Sequence, residues 1–185
     1  TGPITCTEYF YLTNGQVNSS GNITFDNAPA FPTIVRLNGT FDAAPVFADK
    51  VNLKYTGNQK TTDNELPQGA SEDKLHDFLI QTQNNTDCSN GYGWVRLNRD
   101  ITVQGLLRVD EKQALIVNDG RTVTLQGATL DIRGYFLTVK TGKIAFGAPG
   151  GIELITDGYL PSIVIPAGSM NNKIEAKGLR SQTFS

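Results

Sequence analysis

The sequence predicts an all-β protein: an irregular β-rich head with one short helix, followed by a β-solenoid-like body. Three observations predict it. From Leu107 onward, two large apolar residues spaced i and i+2 return every seven or eight positions. Glycine is plentiful, with 19 copies in 185 residues, and threonine and asparagine crowd a chain that therefore favours strands and turns over long helices. No apolar run approaches the roughly 20 residues that a membrane-spanning helix needs.

The head is expected over residues 1–99. Residues 4–13 alternate, with Ile4, Cys6, Phe10 and Leu12 on one face, Tyr9 and Tyr11 on the other, and Glu8 interrupting the apolar side. Asn14-Gly15 then signals a tight turn. Short strands are expected at 33–37, 51–55 and 94–97, parted by Pro29, Pro32, Pro45 and glycine-containing turns. The polar stretch 57–69 lacks periodicity and reads as an exposed loop. A helix is expected from Ser71 to about Gln83. Ser71 suits an N-cap, Glu72 and Asp73 put negative charge in the first turn, and Leu75, Phe78 and Leu79 share a helical face.

The body is expected over residues 100–185. Its doublets are Leu107/Val109, Leu115/Val117, Val123/Leu125, Leu130/Ile132, Leu137/Val139, Ile144/Phe146 and Ile152/Leu154, with Ile163/Ile165 beyond. The near-heptad return is no coiled coil, because a seam alternates steps of three and four and would not tolerate Gly120, Gly127, Gly134 and Gly142. In a parallel solenoid each doublet forms one side of a coil, and three sides make a coil of about 22 residues. The alternative is a meander or β-sandwich of antiparallel strands, which would usually show longer strands than these.

The stretch VTLQGATLDIRGYFLTV, residues 123–139, resembles the repeats of right-handed β-helical (β-solenoid) extracellular surface and adhesin proteins. The likeness extends over residues 107–165. It implies an exported, elongated, surface-displayed protein and carries over no active site.

A formal net charge of −2 offers no basic face for nucleic acid and no polybasic patch for anionic lipid. Neither nucleic acid nor membrane insertion is expected. The chain does not begin with methionine, and the expectation is a mature form after export to the cell surface or outside the cell. Two thiols, Cys6 and Cys88, admit a disulfide, two buried small residues or part of a metal site. Only His76 would assist a metal, so the expectation is a disulfide, which implies an oxidising compartment. Candidate glycosylation triplets begin at Asn18, Asn22, Asn38 and Asn84.

No catalytic motif, metal site or cofactor site is expected. His76 lies between Asp73 and Asp77, but no Gly-x-Ser-x-Gly elbow accompanies it or Ser71, and a solvated polar face is the plainer reading. Asp110 and Glu111 are adjacent and would point to opposite faces of a strand, so they form no acid/base pair. Asp131, Glu153 and Asp157 would line an outer face if coils stack, without a recognisable calcium motif. Aromatics are the better clue: Tyr9, Tyr11, Tyr92 and Trp94 either cover the end of the core, form a subunit interface or stack on a glycan. The expected function is a non-enzymatic structural or adhesive surface protein, self-associating into a filament or fibre through strand edges or strand donation. The alternatives are a carbohydrate-binding module and a fragment of a polysaccharide-degrading β-helical enzyme.

Overall fold

The computed structural model describes residues 3–26, 30–56, 59–81, 93–147, 152–156 and 174–177, with the backbone only at 146, 152–156 and 174–177. They form a parallel β-solenoid of about six turns. The first coil holds β1 (Ile4–Cys6), β2 (Tyr9–Leu12) and β3 (Gln16–Val17). The second holds β4 (Ile23–Phe25), β5 (Thr33–Arg36) and β6 (Thr40–Phe41), and the third β7 (Val46–Phe47), β8 (Val51–Thr56) and β9 (Lys60–Thr61). The fourth has a 3-10 helix (Gly69–Lys74) before β10 (Leu75–Gln81) and β11 (Gly93–Leu97). The fifth has β12 (Ile101–Val103), β13 (Leu106–Val109) and β14 (Gln113–Val117). The sixth has β15 (Thr122–Leu125), β16 (Thr129–Ile132) and β17 (Tyr135–Thr138). Beyond it lie β18 (Lys143–Phe146), β19 (Ile152–Thr156) and β20 (Ile174–Lys177).

Strands at the same place in successive coils stack into three faces. The first face runs β1-β4-β7 and resumes as β12-β15-β18. Between them the 3-10 helix takes the strand's place. Lys74 Nζ donates to the carbonyls of Phe47 (2.7 Å) and Ala48 (2.9 Å) at the end of β7. The second face is one eight-stranded sheet, β2-β5-β8-β10-β13-β16-β19-β20, and the third is β3-β6 followed by β9-β11-β14-β17. Every pairing among the described residues is parallel, so the meander and sandwich alternatives do not hold. Leu107 sits over Leu130 and Val123 over Ile144, advances of 23 and 21 residues. The head and body expected on either side of 99/100 share the eight-stranded sheet, which passes that position without a break.

Register makes the core a set of columns. Phe10, Ile34, Leu53, Phe78, Leu107 and Leu130 lie one above another on the second face. Five of these six are buried, Phe10 only partly. Burying such a side chain is worth about 1.5–3 kcal/mol. A one-residue slip would turn a strand's whole inward set to solvent, and register is therefore strongly specified.

Four expectations are corrected. The helix expected over 71–83 is replaced by a 3-10 helix (Gly69–Lys74) followed by strand β10, which runs to Gln81, and 82–83 lie outside the described residues. Its apolar spacing of three from Leu75 to Phe78 comes from a bulge, where the pairing with β8 shifts register. The fifth doublet is one residue out. Phe136 pairs with Leu115 and is fully buried, while Val139 is 36% exposed. The supposed exposed loop 57–69 includes the wholly buried Glu65 and Leu66. Finally, no disulfide is found among the described residues: Cys6 is a half-buried free thiol, and its expected partner Cys88 lies outside them. Burial raises the Cys6 pKa, so its thiol is held protonated.

Candidate functional site

Among the described residues, the Tyr9–Tyr11 pair and Trp94, singled out by sequence, do not come together. Tyr9 and Tyr11 project outward from β2, each 62% exposed, with ring centroids 6.1 Å apart and planes 24° from parallel. Trp94 lies on the third face three coils away, which at the usual strand spacing is about 14 Å along the stack. The Arg96 guanidinium sits 5.2 Å from its ring centroid. Ala114 and Tyr135 follow Trp94 in one outward column, and Ile116 and Leu137 follow Arg96 in the next. Tyr92 and Asn84 lie outside the described residues. Asn18, Asn22 and Asn38 are exposed, all at corners between strands.

An interior charge forms the most unusual polar cluster. Arg36 occupies the inward column that runs Leu12, Arg36, Tyr55, Ile80, Val109 and Ile132. The loop after β9 folds Glu65 in to meet it: Arg36 Nη1 lies 2.5 Å from Glu65 Oε1, and the Tyr55 hydroxyl donates to the same oxygen. Arg36 also donates to the carbonyls of Gly39 and Thr61, each at 3.0 Å. Burial works against the Arg36 charge, but the Glu65 carboxylate and Tyr55 outweigh it and hold the guanidinium above its ordinary pKa. Burial, then Glu65, raises the Tyr55 hydroxyl well above its usual value. Enclosed on all sides, this triad serves the fold rather than a ligand.

His76 and Asp77 lie in the β10 bulge. Asp77 Oδ1 accepts from the Leu106 amide at 2.8 Å, and the Asp77 amide donates to Asn52 Oδ1 at 3.2 Å. His76 Nδ1 is 2.9 Å from Asp77 Oδ1 but makes no aligned hydrogen bond, and its ring packs 4.5 Å from that of Phe31. Asp77 thus ties both neighbouring coils to the bulge, one through its carboxylate and the other through its amide. Asp131 is likewise committed, to Arg133 (3.1 Å) and Arg108 (3.7 Å). Asp157 lies outside the described residues, and Asp131 and Glu153 belong to different columns, Glu153 stacking on Thr129. Among the described residues, no group of three or more His, Cys, Asp and Glu is arranged to hold a metal ion.

Among the described residues, a concave feature rich in charge lies where the 3-10 helix meets the fifth and sixth coils. Two adjoining hollows of ≈ 260 and ≈ 350 Å³ share Glu72 and Asp100 in their walls. Arg99 and Arg121 line one, and Thr102 and Thr124 the other. Asp100 Oδ1 accepts from the Thr122 amide at 2.9 Å, tying the coils together at the cleft. Sequence reading overlooked this group. The available signal was the coil period, since Ile101 stacks under Val123, an advance of 22 that also relates Arg99 to Arg121 and Thr102 to Thr124.

Comparison with protein-family models, curated proteins and solved structures returns no match to this chain.

Proposed function

We propose that this protein is a non-enzymatic structural or adhesive surface protein outside the cell, and that copies stack end to end into a filament or fibre. One observation carries the proposal: the first coil offers the cross-section of an apolar bore. Ile4 is 52% exposed, whereas Ile23, its partner one coil on, is 2% exposed. Cys6, Phe10 and Val17 are partly buried over the buried Phe25, Ile34 and Phe41. The same coil presents the edges of β1, β2 and β3, whose backbone groups are a template for further strands. A coil from a second copy would cover the apolar side chains and satisfy that edge at once. Exposed Asn18, Asn22 and Asn38 lie at corners between strands, where a glycan would be accommodated.

The experiment is sedimentation velocity across a concentration series, with Ile4→Lys as the blocking variant. An edge charge is a device that stops strand addition, and a side chain this exposed tolerates replacement. The wild type is expected to grow with concentration, while Ile4→Lys stays monomeric with an unchanged far-ultraviolet spectrum. A wild type that remains monomeric throughout, or a variant that assembles equally well, overturns the end-to-end route.

A second reading, carbohydrate binding on outer aromatics, is favoured by the stacked and exposed Tyr9–Tyr11 pair. Rings so placed offer flat faces to a sugar.

A further inference from the structure

We infer that the cleft between the 3-10 helix and the fifth and sixth coils binds a carboxylate-bearing sugar unit, with Arg99 and Arg121 taking the carboxylate and Glu72 and Asp100 accepting from hydroxyls. The inference stands apart from end-to-end assembly, because the cleft is built from the fourth to sixth coils and assembly uses the first.

Four charged side chains line this cleft, and none forms a salt bridge with another or with any other described residue. Some charges elsewhere on the outer surface are paired, as in Arg108–Asp110 at 2.6 Å and Arg133–Asp131 at 3.1 Å. Arg99 is the clearest case. Its Nη1 is buried and has no hydrogen-bond partner, a state that costs free energy.

The chemistry of the walls selects the ligand class. Two guanidiniums call for an anion, and a planar carboxylate suits their fork geometry. Two carboxylates call for donors, which a simple anion lacks and a ring of hydroxyls supplies. Thr102 and Thr124 stack in register on the outside of β12 and β15, adding hydroxyls that both donate and accept. The cleft walls are mostly polar, so an apolar or aromatic ligand would find little to pack against. An acidic sugar satisfies every group at once: its carboxylate meets the cations, its hydroxyls meet the carboxylates and threonines.

The test titrates the whole protein with digalacturonate, with the neutral digalactose, and with acetate and sulfate, following amide chemical shifts. Digalacturonate is expected to shift resonances of residues 98–102 and 121–124 saturably, and to bind at least roughly tenfold more tightly than the other three. Arg121→Gln, an exposed replacement, should weaken it by about ten- to a hundredfold, as loss of a charge-assisted contact does. Glu72→Gln should weaken it less and leave any acetate binding unchanged. Thermal melts of both variants confirm that the fold is kept. No shifts with digalacturonate up to about 10 mM would overturn the site. Acetate binding as tightly would reduce it to an anion site and overturn the sugar. Shifts unaffected by Arg121→Gln would place binding elsewhere.

Discussion

Arg36 sits where the column above and below it holds leucine, tyrosine, isoleucine and valine, and the fold accommodates it only by bringing in Glu65. Removing one partner of such a pair leaves a buried charge alone, so Glu65→Ala is expected to cost about 3–5 kcal/mol in urea denaturation. Tyr55 adds a pH dependence. The folded state holds its hydroxyl protonated well above the ordinary pKa, while the unfolded chain releases that proton near pH 10. Above about pH 10 the folded state therefore binds more protons than the unfolded one, and stability falls as pH rises. Tyr55→Phe should lose about 1 kcal/mol at neutral pH and show a shallower decline in alkaline melts. An equal alkaline slope in both proteins would remove Tyr55 as the cause. This cluster was not legible in the sequence. Arg36 reads as the polar end of a short strand, and the acid that answers it is 29 residues away, in a stretch whose composition looks solvated.

Strand β10 shows how an element can carry the wrong period. Leu75 and Phe78 are spaced like a helix, and Ser71, Glu72 and Asp73 resemble a helix start. Those residues do wind into a helical turn, but a 3-10 one that ends at Lys74. The bulge then absorbs the extra residue, and alternation resumes through Phe78 and Ile80. Tertiary stacking decides the outcome, because β10 lies between β8 and β13 and both offer backbone partners. Strand β17 shows a subtler ambiguity. In the run Phe136-Leu137-Thr138-Val139, Leu137/Val139 is the fully apolar alternate pair, whereas Phe136/Thr138 is only half apolar. Leu115 below selects Phe136. The prediction follows directly: Phe136→Ala should cost about 3–5 kcal/mol, whereas Leu137→Ala should stay within about 1 kcal/mol. Equal costs in thermal or urea unfolding would mean that the register is wrong. Close approach also constrains the corner after β17. A Cβ on Gly142 would stand 2.6 Å from the Val117 carbonyl oxygen and 2.7 Å from that of Asn118, backbone atoms that cannot swing aside.

Across the whole molecule the coil length was the most legible quantity. Doublets two residues wide returning every seven or eight positions imply three short sides per turn, and stacked partners are indeed 20 to 24 residues apart through the fifth and later coils. The same architecture in the first half was hidden because its coils break the period. Ile4 stacks on Ile23 after 19 residues, Phe78 on Leu53 after 25, and Lys60 under Val95 after 35. A regular body and an irregular head are thus one solenoid with uneven corners. The cleft lay hidden for a related reason, since Glu72 reaches it from an irregular coil while Arg99, Asp100 and Arg121 come from regular ones.

If copies assemble end to end as proposed, the exposed Ile4 and the edge strands of the first coil are where a further coil would add. Electron microscopy of the purified protein at high concentration tests this most directly. Filaments built of coils about 4.8 Å apart along the axis are expected, and none from Ile4→Lys under the same conditions. Monodisperse single particles at every concentration would contradict it.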